Sequence, residues 1–232
     1  MKKRIIVLLA ACAAASQAAQ ANEVGFYIGG YVGQATKEVP RGPYDEFSQL
    51  LQQVALFTPV DERISFDDTE TAFAVIGGYR WNRYLAFEAG YSKLGSVTYT
   101  SRATGTYPLD SGFLNTTIES ETSGFTVAAL GTWPLTRDWE LSAGGGVLFA
   151  SNRLRLSFRA DGEDFVPPLG TSGSDSGSKS TTDMYASVGI GRRILEIYDL
   201  RLVYERVFDA GDETSGGKAD VDAAFIGLTV TF

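Results

Sequence analysis

The sequence predicts an all-β fold, a single antiparallel up-and-down transmembrane β-barrel of eight strands. Three observations carry the prediction. Segments of about ten residues with period-two alternation recur eight times. The connections between them alternate short and long. After the leader, no apolar run approaches the roughly 20 residues that a membrane helix needs, so a membrane would be crossed by strands.

The leader comes first. Met1-Lys2-Lys3-Arg4 is a positive n-region, Ile5 to Leu9 an apolar h-region, and an Ala-rich stretch runs on to Ala21. Ala19-Gln20-Ala21 fits a small-residue cleavage site, which makes residues 1–21 a secretory signal and 22–232 one barrel domain. Leu9-Ala10-Ala11-Cys12 also fits a lipoprotein box with Cys12 as the lipidated residue, and both readings stay open. Cleavage after Ala21 would discard the only Cys and exclude disulfides and thiolate sites. It would also remove three cations, moving the formal charge from -8 to -11, which disfavours nucleic acid as a partner.

The predicted strands are 26–34, 71–80, 84 to 94 and beyond, 123–133, 139–158, 183–195, 200–208 and 224–232. Short turns fall at 81–83, 134–138 and 196–199, and long external connections near 35–70, 98–121, 159–182 and 209–222. The third long connection holds a Gly/Ser run over 170–180, read as disordered. Alternation assigns the faces. Leu85, Phe87, Ala89 and Tyr91 face lipid over inward Glu88 and Gly90, and Met184, Ala186, Val188 and Ile190 do the same over Tyr185, Ser187 and Gly189. The fourth strand conflicts with this rhythm because Leu130 falls on the inward parity, and a bulge is expected there. Trp81, Trp133 and Trp139 lie beside short turns with Tyr79, Tyr84 and Tyr198, as in a periplasmic aromatic girdle. Leu50 to Phe57 is apolar for a loop and reads as a short helix over the barrel mouth or a partner contact.

The run AVIGGYRWNRYLAFEAGYSKLG, Ala74 to Gly95, resembles the second hairpin of the outer membrane protein A transmembrane barrel, and FYIGGYVGQA resembles its first strand. The ending FIGLTVTF, with Ile226, Leu228, Val230 and Phe232 on one parity, resembles the signal read by the barrel-assembly machinery. The resemblance covers the strands and leaves out the long connections and that family's peptidoglycan-binding domain, so cell-wall tethering is not expected. It implies an inward salt-bridged plug with Glu88 as the gate glutamate and Arg201 as the gate arginine. The second acidic partner falls near Gly191 and the companion lysine near Ala129, which leaves the switching pair incomplete.

The chain has no His, which disfavours the His-dependent hydrolases and acyltransferases that resemble it in being outer-membrane barrels. No enzyme activity, cofactor or metal site is expected. The inward charges Glu88, Glu140, Arg193, Arg201 and Glu205 must be paired or hydrated in a lumen only wide enough for side chains. Beyond the apolar band, Lys93, Arg153, Arg155 and Arg206 keep the outward parity and could meet lipopolysaccharide phosphates. The expectation is a monomeric, non-enzymatic outer-membrane protein that serves as a structural and surface-display component. A small porin-like channel and an adhesin with an unknown host ligand are the rivals.

Overall fold

A computed structural model describes residues 24–107, 110–162, 171–195, 197–211 and 218–232, so the predicted signal at 1–21 lies outside the described residues. The elements are β1 (Gly25–Lys37), α1 (Gly42–Val54), β2 (Thr58–Asp67), β3 (Thr69–Asn82), β4 (Leu85–Tyr107), β5 (Asp110–Pro134), β6 (Trp139–Gly162), β7 (Ser172–Leu195), β8 (Tyr198–Ala210) and β9 (Ala219–Thr231). Antiparallel pairing runs from β1 through β3 to β9, and β9 pairs back with β1, which closes an eight-stranded ring. Closure leaves no strand edge within the bilayer, where an unpaired backbone group would cost several kcal/mol, about the price of burying a bare amide.

The faces follow the alternation. Phe26, Val32, Phe125, Phe149, Met184 and Ile226 stand exposed on the outside, Met184 at 71 %. That surface is the lipid-facing band. Trp81, Trp133 and Tyr84 are exposed at the end that carries the short turns, where Arg83 stacks on Tyr84 at 4.5 Å and Arg192 on Trp139 at 5.4 Å. No bulge repairs the fourth predicted strand, because β5 and β6 pair without a register shift from Gly112 to Pro134. Leu130 is simply buried in the lumen. It fits because Gly144 stands opposite, where a Cβ would lie 3.0 Å from Leu130 Cγ.

Two predicted long connections are in large part strand. Residues 98–107 and 110–121 extend β4 and β5 as a pair, with Thr98 still paired to Glu119 and Tyr107 to Asp110. The Gly/Ser run expected to be disordered is the upper half of β7 from Ser172 on, paired to Asn152–Arg159 of β6. Residues 163–170 and 212–217 of the predicted connections 159–182 and 209–222 lie outside the described residues. With β2 paired to the top of β4, the extensions make a five-stranded wall, β2-β4-β5-β6-β7, above the ring. The three 13-residue strands β1, β8 and β9 do not take part. Wall and ring meet at a shoulder. There β4 bulges between Lys93 and Ser96, Gly95 takes φ +82°, and Glu70 accepts a hydrogen bond from Ser96 Oγ at 2.6 Å. A side chain at Gly95 would be strained by that φ alone.

The connection after β1 contains α1, longer than the predicted helical segment and starting earlier. Pro43 occupies its first turn, and Asp45 complements the positive end of the dipole while pairing with Arg41 at 3.1 Å. It ends where Leu56 enters the left-handed region at φ 55° and Phe57 N–H donates to Gln52 O at 2.8 Å. The buried face is Tyr44, Ser48 and Gln52, spaced by four. Tyr44 stacks on Tyr99 and meets Phe66 edge-on, both at 5.8 Å, so α1 packs on the inner face of the wall.

Candidate functional site

The lumen is filled in layers. Lowest, toward the short turns, lies a charge cluster. Arg80 makes a two-pronged contact with Glu140 at 2.8 and 3.0 Å, and Arg201 bridges Glu140 at 3.4 Å and Glu88 at 3.2 Å. Tyr27 donates to Glu88 at 2.6 Å, and the Arg201 guanidinium lies 5.1 Å over the Tyr27 ring. Each member is set by its strand. Tyr27 on β1 faces Gly78 on β3, where a Cβ would fall 2.2 Å from the ring, so only glycine lets the ring lie across toward Glu88. Two guanidiniums meet two carboxylates, and the cluster is formally neutral. That balance is what permits charge in a narrow interior.

Of the five inward charges expected from the sequence, Glu88, Glu140 and Arg201 come together. Arg193 does not. It sits at the lower mouth, 49 % exposed, and pairs with Asp199 at 3.4 Å, because β7 has reached the end of the ring there. Glu205 lies on the inward parity of β8 beside Ser187 and Ala223 and makes no ion pair among the described residues. Arg80 was missed, although its place between the outward aromatics Tyr79 and Trp81 marks it as inward. The acidic partner that the family resemblance puts near Gly191 is supplied from the adjacent strand, for Glu140 is the register partner of Gly191. Ala129 lies on the outward parity of β5, so it holds no lumen cation.

Above the cluster lies an apolar layer that includes Leu148, Tyr185, Val207, Val221 and Phe225. Over it is a polar network. Lys37 Nζ donates to Ser120 and Thr122 at 3.3 and 3.4 Å, Thr122 to Asn152 at 2.8 Å, Asn152 to Thr181 at 3.0 Å and Thr181 to Asp183 at 2.7 Å. A second apolar cluster, Val39, Tyr44, Val97, Tyr99, Ile118 and Ala219, closes the top beneath α1.

Outside, Lys93, Arg153, Arg155 and Arg206 all keep the outward parity. They do not form a band of one sign. Lys93 pairs with Glu121 at 2.8 Å, Arg155 with Glu119 at 3.7 Å, and Arg206 with Asp220 at 2.6 Å and Asp222 at 3.1 Å. Glu38 also lies 3.5 Å from Arg206, so the four cations stand among five carboxylates. Arg153 makes no ion pair among the described residues. Ile226, Leu228, Val230 and Phe232 line the outer parity of β9, and Phe232 N–H donates to Phe26 O at 2.9 Å.

A closed ring of eight antiparallel strands, apolar outside and ion-paired within, defines a small outer-membrane β-barrel protein. The profile of the family described as outer membrane protein beta-barrel domain matches residues 5–232, and the chain belongs to that family. It resides in the outer membrane, among its lipids. No curated protein sequence matches it significantly. Among solved structures it is similar to Neisserial surface protein A, at 14 % identity over 90 % of this chain and 97 % of that one, with a TM-score of 0.45. It is also similar to OprG of Pseudomonas aeruginosa, at 13 % identity over 91 % and 97 %, with a TM-score of 0.42. Ail of Yersinia pestis matches at 12 % identity over 90 % and 99 %, with a TM-score of 0.41.

Proposed function

We propose that the protein is a non-enzymatic envelope component whose barrel is a sealed anchor and whose wall, with α1, is the working surface. The observation that carries this reading is the filled lumen. The ion-paired cluster, the apolar layer and the Lys37 network lie one above another across the path an ion would take, and each would have to be broken or dehydrated for passage. The reading is tested in planar bilayers, where the purified protein is expected to give no discrete conductance steps. Regular steps that change size when Arg80 or Arg201 is neutralised would make it a small pore instead. An adhesin is a special case of the same surface reading, and the host ligand is then a property of the wall.

The same reading takes the outward parity of β9, ending on Phe232, as the feature engaged by the assembly machinery, and the protein as a monomer. It takes Arg153 and Arg155 as the cations that meet lipid A phosphates. Arg153 makes no ion pair among the described residues, and the Arg155–Glu119 contact is long and exposed, worth at most about 1 kcal/mol. Reversing both charges is expected to reduce co-purifying lipopolysaccharide and to lower the melting temperature in lipopolysaccharide-containing membranes, with no change in neutral detergent. An equal loss in both media would mark a folding defect and remove the assignment.

A further inference from the structure

A cavity of about 310 Å³ lies between α1 and the inner face of the wall. Pro43, Tyr44 and Phe47 of α1 form one side, Ile118, Leu154 and Leu156 of β5 and β6 the other, and Asp175, Ser176 and Gly177 of β7 the border. The volume falls at the small end of the range for small-molecule sites, and the lining has their composition, a mainly apolar body with one polar end.

Two features define an occupant. β7 pairs with β8 only from Met184 downward, so above that point the Asp175 border has no strand beyond it among the described residues. The cavity therefore has an open side, and a carboxylate stands on it. No cation lines the cavity among the described residues, so an entering anion meets only like charge there. Among the described residues no side chain fills the space, and Phe47 is left 37 % exposed at its margin.

We propose that this cavity binds a small amphiphile, a single alkyl or aryl group carrying a cationic head. The apolar group lies between Phe47 and Leu154–Leu156, and the head sits against the Asp175 carboxylate. The proposal rests on the wall as the working surface, yet its test is separate, because bilayer conductance reports on the lumen and leaves this cavity untouched.

The test uses the full chain in phosphatidylcholine nanodiscs with labelled Ile and Leu methyl groups. It is titrated with decylammonium, decanol or decanoate at mildly alkaline pH. Ile118, Leu154 and Leu156 report the cavity, while Ile226 and Leu228 report simple partitioning into the bilayer. Decylammonium is expected to give saturable shifts at the three cavity residues alone, with decanoate about tenfold weaker and decanol between, as one charge contact near a surface allows. Asp175→Asn, a change at an exposed side chain, should bring decylammonium and decanoate to within about twofold, while Phe47→Ala should weaken all three probes. Shifts that do not saturate, or that appear equally at Ile226 and Leu228, would overturn the site. Decanoate binding as tight as decylammonium would overturn the charge assignment.

Discussion

Glu140→Gln is expected to destabilise the barrel by about 3–5 kcal/mol, because it strips both Arg80 and Arg201 of a buried partner at once. Glu88→Gln should cost less. Arg201 would keep Glu140, and the Tyr27 hydroxyl would keep a hydrogen-bond acceptor in the glutamine carbonyl. Adding Arg80→Gln to Glu140→Gln returns the cluster to one cation and one carboxylate and should recover a large part of the loss. Urea unfolding in lipid vesicles measures all the variants, and strict additivity in the cycle would show that the residues act independently.

Tyr44→Ala is expected to release α1 from the wall at a cost of about 3–5 kcal/mol, the usual penalty for deleting a buried aromatic side chain. Its ring joins α1 to Tyr99 and Phe66, so no other single residue of the helix replaces it. Hydrogen exchange should find α1 amides unprotected in this variant and the ring strands unchanged. Loss of protection in the ring as well would mean that α1 and barrel form one cooperative unit. Docking should also depend on pH. Burial, and then the hydrogen bond that the hydroxyl donates to the Asp45 carboxylate, push the Tyr99 hydroxyl from 10.0 up to about 12. The neutral phenol favours the docked state, so docking is complete below pH about 10 and weakens as the pH rises toward 12.

The ring was legible because lipid imposes a strict apolar parity on every crossing strand, and Phe87–Tyr91 or Ile226–Phe232 can be read in one way only. The wall was far less so. Water lies outside it, so its outer parity is Thr, Ser and Arg, and the inner residues Val97, Tyr99, Leu114 and Ile118 are spaced by polar ones that look like loop. Ser172–Ser180 has no apolar residue at all, and its strand is imposed by the neighbour, Leu154 and Leu156 on β6. The α1 helix was half visible for a similar reason. Its apolar residues Phe47, Leu50 and Val54 are exposed, while Ser48 and Gln52 are buried, so the apolar run does not mark the face that packs. In the lumen Glu88, Glu140 and Arg201 were found by parity, whereas Arg80 stands next to the short turn at 81–83, where the end of the strand drew attention away from a parity that its aromatic neighbours mark. Parity also says nothing of height along the strand, which is why Arg193 was grouped with charges that it never meets.

The unequal strand lengths bear on how the protein reaches its final place. β4 and β5, and then β6 and β7, are two hairpins of 23 to 25 residues per strand, roughly twice what a bilayer crossing takes. Their upper halves are hydrophilic on the outer face and stand on the far side of the membrane, so about a dozen residues of each strand, many of them polar, have to pass the hydrocarbon during biogenesis. A lone extended segment could not do so, with every amide and carbonyl bare. A preformed hairpin satisfies one side of each ladder before it moves, and the β5–β6 register holds without a slip along its whole described length. The wall is thus freight as well as architecture, and translocation favours the small hydroxyl side chains and near-neutral composition of the upper half of β7.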